Sequence, residues 1–172
     1  GEVSPPIVEI ENPHIVRRHL NAMAFAAYER MTLSDDFPAG HKTVRDFILP
    51  ETTAPAERMI AWLRSHPIEI GDAALRVCPP ALVGHPDIDL STWRWLDGLD
   101  GSPDEPGMGR LRTAAAKIRR EVDELEETER DLAEQQKYGP AGAVKRVADT
   151  LLRQNTVQFL AQRSVLPKYG FP

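Results

Sequence analysis

Apolar residues recur at three- and four-residue spacing along most of this chain, the period of a helix that buries one face. The clearest run is Ile15, Val16, His19, Leu20, Met23, Ala24, Ala27 and Tyr28. Asn12-Pro13 precedes it, an N-cap residue followed by a proline suited to the first helical position. The pattern predicts a helix over residues 12–31, broken by Ser34-Asp35-Asp36 and Pro38-Ala39-Gly40. A shorter helix is predicted over 41–49. Another spans 54–65, with Thr52 or Thr53 as cap, Pro55 at the opening, and Met59, Ile60, Trp62 and Leu63 on the apolar face. Residues 68–77 read as a helix ended by Cys78-Pro79-Pro80, and 89–99 as a short helix carrying Trp93, Leu96 and Leu99 on one face. Val8, Glu9, Ile10 and Glu11 alternate apolar and acidic, which predicts a short extended segment before the first helix.

The C-terminal third is more regular. Leu111, Ile118, Leu125 and Leu132 stand at strict seven-residue spacing, joined by Ala114, Ala115 and Val122. They predict a long helix over 110–138. Its second seam decays into Glu121, Thr128 and Gln135, so the stripe serves one neighbour rather than a self-standing coiled coil. Gly139-Pro140 marks a break, and Val144, Val147, Leu151, Leu152, Val157, Leu160 and Ala161 outline a last helix over 141–163. So short a connection predicts an antiparallel hairpin. The fold class is therefore all-α: about six helices, dominated by a long C-terminal hairpin, with short extended termini. Residues 1–99 form one helical region, 100–109 (DGSPDEPGMG) a flexible loop, and 110–172 the hairpin and a connector.

Composition narrows the function classes. The chain has 172 residues, a net charge of −5, 15 prolines and a single cysteine. It is long enough for a core. Its charge gives no global nucleic-acid or membrane signal, so any basic function is local. Nothing approaches the roughly 18 consecutive apolar residues of a spanning helix, and no basic-then-apolar leader opens the sequence. The expectation is a soluble, cytoplasmic protein with no membrane partner. Cys78 alone allows neither an internal disulfide nor a cysteine-cluster metal site, and its flanking prolines describe a packed turn.

The charges of the hairpin are uneven. Between Lys117 and Glu134 stand eight acidic residues against four basic ones, while Lys145, Arg146, Arg153 and Arg163 face a single acid, Asp149, on the last helix. A solvated face with complementary pairing across the hairpin is expected. Phosphate loops, dinucleotide turns, zinc-protease and serine-hydrolase motifs are all missing. The five histidines lack ligand spacing, and no catalytic or cofactor-binding residue is assigned. One compact basic group remains: Arg17, Arg18 and His19 on the first helix. Arginine offers a planar fork matched to phosphate, so these three are candidate nucleic-acid contacts. A helix face paired to Glu11, Asp35 or Asp36 is the plainer alternative. Trp62, Trp93 and Trp95 are base-stacking candidates, although tryptophan at helical spacing is more often core.

The chain closes on SVLPKYGFP, an apolar and aromatic run without a polar tail. Either it folds back on its own core, or Val165, Leu166, Tyr169 and Phe171 pack on something beyond this segment. Two stretches bear on the choice. Residues 12–27 (NPHIVRRHLNAMAFAA) resemble the helix that follows the second motor domain in a group of bacterial superfamily-two DEAD/DEAH-box helicases, which includes the mitomycin-repair helicase and the DISARM phage-defence helicase. Residues 165–172 (VLPKYGFP) resemble the segment leading into that family's C-terminal, zinc-binding region. The resemblance covers roughly 25 residues at the two ends and leaves the middle unmatched.

The resemblance implies a connector between helicase motor and C-terminal module, non-catalytic itself and cut from a longer parent. ATP and Mg would belong to that parent, zinc to its C-terminal module, and none of them to this chain. The implied partners are the motor domains, the C-terminal module and, through the parent, DNA. Arg17, Arg18 and His19 match the family's basic helix by position. A free-standing interaction module using the 110–163 hairpin is the alternative from a different class.

Overall fold

The computed structural model describes residues 12–32, 42–49 and 54–168. The expected N-terminal extended segment, the break at 34–40, the Thr52/Thr53 cap, Tyr169 and Phe171 lie outside the described residues. The fold is all-α. Among the described residues there are eight helices: α1 (Pro13–Thr32), α2 (Val44–Ile48), α3 (Pro55–Arg64), α4 (Ile68–Val77), α5 (Asp97–Asp100), α6 (Arg110–Glu134), α7 (Tyr138–Leu152) and α8 (Thr156–Gln162).

The start of α1 follows from local chemistry. Asn12 Oδ1 accepts from the His14 N–H at 2.9 Å, satisfying one of the donors a helix leaves open at its N-terminus. Val16, Leu20, Ala24, Phe25 and Tyr28 then face inward. Against them pack Phe47 and Ile48 of α2, Met59, Ile60 and Leu63 of α3, and Ile70 and Ala74 of α4. Phe25 and Phe47 meet edge to face, ring centroids 5.5 Å apart. Leu111, Ala114, Ala115 and Ile118 of α6 and Phe159 and Leu160 of α8 close the same core.

Three boundaries differ from the sequence reading. Residues 89–99 do not form one helix: turns run through 86–93, and a 3-10 turn (Arg94–Leu96) leads into the short α5. Trp93 takes the left-handed conformation, φ 60°, which halts helix propagation there. The hairpin turn comes earlier than Gly139-Pro140. α6 ends at Glu134, Gln136 turns the chain with φ 60°, and Gly139 and Pro140 sit in the first turn of α7, where a missing N–H costs nothing.

The third difference is a break in the last helix, which divides at 153–155. Asn155 caps α8 by accepting from the Gln158 N–H at 3.1 Å. The polar 154–156 segment pairs with 42–44 instead, through Val44 N–H to Gln154 O at 3.0 Å and Thr156 N–H to Lys42 O at 2.9 Å. The 100–109 loop has defined backbone structure, with a bridge between Gly101 and Pro106.

Val165 and Leu166, two of the four residues expected to pack on a further module, are buried. They are 2% and 1% exposed within this chain's own core. The Val165 carbonyl also accepts from Asn21 Nδ2 at 2.9 Å, fastening the segment to α1. Both belong to the same hydrophobic core as α1 and α8.

Candidate functional site

The N-terminal half of α1, the α5 region and the first residue of α6 converge on one cleft. Five charged residues of the α3–α5–α6 junction form its scaffold. Arg64 reaches Asp97 and Asp100, both at 3.0 Å, and donates to the Gly101 carbonyl at 2.9 Å. Arg112 pairs with Asp100 at 2.8 Å and with Glu57. Burial raises the Asp100 pKa, but the hydrogen bonds from Arg112 and Arg64 outweigh it and hold the carboxyl below its usual range. Arg94 also reaches Asp97, at 3.3 Å.

Two glycines let the elements meet. A Cβ on Gly109 would lie 2.2 Å from the Leu99 backbone, so only glycine lets α6 start against α5. A Cβ on Gly98 would lie 2.2 Å from the Arg17 guanidinium, which therefore rests on the bare α5 backbone. The resulting cleft has a volume of about 320 Å³, and its charged lining mixes Arg17, Arg94 and Arg110 with Asp87, Asp97 and Glu105. Sharing His14, Arg17, Gly98 and Arg110 with it is a smaller recess of about 20 Å³, completed by Arg18, Asn21 and Ser164, with no carboxylate among the described lining residues.

Within this site Arg17 is half-buried and, among the described residues, makes no hydrogen bond or ion pair. Burial lowers its pKa, Asp87 pulls it back up and the Arg110 charge lowers it further; the net direction is down. Arg18 is likewise partly buried and unpaired among the described residues. Arg112, buried to a similar degree, is neutralised by two acids. Arg17 and Arg18 thus stand beside Arg110 without a direct ion pair among the described residues, while Asp87 and Asp97 act on Arg17 from a distance.

The structure thus brings Arg17 and Arg18 together and separates them from His19, which lines neither cavity. Residues 14, 17, 18 and 21 stand at i, i+3, i+4 and i+7 and share one helix face; residue 19 does not. That spacing was present in the sequence and points to His14 and Asn21 as companions of the arginines. Arg110, 92 positions further on, carried no local signal linking it to them. Asn21 is 6% exposed, and its Oδ1 accepts no hydrogen bond among the described residues.

Other candidates resolve differently. Trp95 is core, Trp62 lies against Tyr28 with centroids 5.9 Å apart, and Trp93 is sandwiched between His66 at 4.4 Å and Trp95 at 6.0 Å. Cys78 is buried, and burial pushes its thiol pKa up, away from the reactive thiolate. Among the described residues no group of three potential metal ligands gathers, and no helix is long and apolar enough to cross a membrane. Nor does the hairpin pair its charges as expected: among the described residues, no acid of α6 forms an ion pair with the basic residues of α7. No protein-family model, curated protein or solved structure matches the chain. The helicase resemblance therefore rests on the two terminal motifs alone.

Proposed function

We propose that this chain is a non-catalytic helical region of an ATP-dependent DNA helicase. In that reading it bridges the motor and a C-terminal module, and its α1–α5–α6 cleft contacts DNA phosphates. The observation that carries the reading is the half-buried Arg17–Arg18 pair, without a direct ion pair among the described residues, on the very helix whose sequence resembles the helicase family. A partly desolvated arginine fork without an acid partner gains most from a phosphate oxygen, because a charge-assisted bond replaces lost hydration. Arg110 extends the cationic lining to a second helix. Asp87, Asp97 and Glu105 also line the cleft and oppose phosphate there.

The test is the affinity of the motor-containing protein for single-stranded DNA as a function of salt. Replacing both Arg17 and Arg18 with alanine should lower affinity at every sequence and reduce the salt slope by about one to two units. Unchanged affinity and slope would remove the DNA-contact role.

The hairpin supports a second reading, a protein-interaction module. No α6 residue beyond Val122 is buried, and on α7 Tyr138 and Val147 remain 68% and 52% exposed. A partner captured through this arm should be lost when Tyr138 and Val147 are both changed to serine, while the arginine pair is irrelevant to it.

A further inference from the structure

The outer halves of α6 and α7 leave an apolar groove that their own packing does not fill. Ala141, Ala148 and Leu152 are buried where α7 lies against α6. Val144, Val147 and Leu151 stand at i, i+3 and i+7 and form a second stripe, about a quarter of a turn round α7. Val147 is 52% exposed, and Val144 and Leu151 are only half-buried. The two helices are right-handed and antiparallel, so this stripe borders the α6 flank that carries Leu125 and Leu132. Those leucines are half-buried as well.

Charge decides what this groove suits. Residues 121–134 hold eight acids and one base, Arg130, a net of −7 in a chain whose total is −5. Glu121 and Glu124 edge the groove on the α6 side, and neither forms an ion pair among the described residues. Lys145, Arg146 and Arg153 lie about a third of a turn or more from the centre of the α7 stripe, so the chain's own bases leave these acids unanswered. Such a field repels nucleic acid. An apolar floor with an acidic edge is complementary to a helix that carries Lys or Arg beside its own apolar stripe. At 1.5 Å per residue the outer half of α6 is about 20 Å long, the span of a helix of about 14 residues.

We propose that this groove binds a basic amphipathic helix of a partner protein, its apolar stripe on Leu125, Leu132, Val144 and Val147 and its cations toward Glu121 and Glu124. The inference rests on the interaction-module reading of the hairpin and names the chemistry of the partner. Anisotropy of labelled peptides titrated with the full chain tests it. The probe is a helical peptide of about 14 residues with leucine at i, i+3, i+4 and i+7 and lysine elsewhere. Its controls are the scrambled sequence and a version with glutamate in place of lysine. The probe should bind about tenfold more tightly than either control. Val147→Glu, at an exposed position, should weaken it about tenfold with helix content unchanged. Glu121→Lys combined with Glu124→Lys should weaken it too and flatten its salt dependence. Tyr138→Ser, half a turn round α7 from Val147, should bind as wild type does.

Absence of binding at about 100 μM chain overturns the proposal, as does equal binding of the scrambled peptide. Indifference to Val147→Glu, or equal loss in Val147→Glu and Tyr138→Ser, overturns it as well. So does a wild-type dimer in sedimentation that Val147→Glu dissociates, because a second copy then fills the groove. If a partner protein is still lost when Tyr138 and Val147 are both changed to serine, the interaction-module reading survives and only the basic helix is refuted.

Discussion

The first half of α6 lies against the helical core, burying Leu111, Ala114, Ala115, Ile118 and Val122, whereas its second half buries no residue at all. The same helix thus passes through two regimes. In the first, seven-residue spacing is converted into tertiary packing, and Arg112 is held by two acids from other elements. In the second, Leu125 and Leu132 keep the spacing but meet only partial cover, and the acids around them find no ion-pair partner among the described residues. Periodicity sets where a helix points, while burial decides what each position contributes.

Substitution can break that contrast. Ile118→Ala removes a fully buried side chain from the core and should cost about 3–4 kcal/mol in denaturant unfolding, whereas Leu125→Ala should cost under about 1 kcal/mol. Equal losses would mean that the outer half of α6 is packed against something more.

A smaller effect is expected at the junction. Asp100→Ala leaves Arg64 and Arg112 without their shared acceptor, at about 2 kcal/mol. Because the folded Asp100 pKa lies below its unfolded value, its contribution is complete above the unfolded pKa. It fades as pH falls from about 4 through the folded pKa. Wild-type stability should therefore drop more steeply over that acid range than that of Asp100→Ala, and parallel pH curves would count against the network. Smallest of all, Glu127→Gln on the exposed acidic face should change stability by less than about 0.5 kcal/mol.

Much of this fold was legible because its signals are local. Asn12-Pro13 marks the start of α1, Pro55 opens α3, and Cys78-Pro79-Pro80 follows α4. The break at 153–155 was not read, although Asn155 followed by Gln158 is a capping pattern; an uninterrupted apolar rhythm outweighed it. Trp93 gave no warning of its left-handed backbone, since tertiary stacking on His66 and Trp95 accompanies it.

The site was half legible. Arg17 and Arg18 stood out by density, and their face partners His14 and Asn21 were available from spacing. Gly98 and Arg110 enter only through tertiary approach, as does the burial of Val165 and Leu166, which an apolar ending alone could not distinguish from an exposed docking segment.

The difference between the Arg17–Arg18 face of α1 and the acidic arm makes the central claim directly measurable. In the proposed helicase parent, anisotropy of labelled single-stranded DNA can be followed from low to physiological salt for wild type, Arg17→Ala/Arg18→Ala, and a variant neutralising Glu126 and Glu127 of the arm. The cleft variant is predicted to lose affinity and salt dependence together, and the arm variant to retain both. Identical curves for wild type and the cleft variant would contradict a phosphate-binding role for α1.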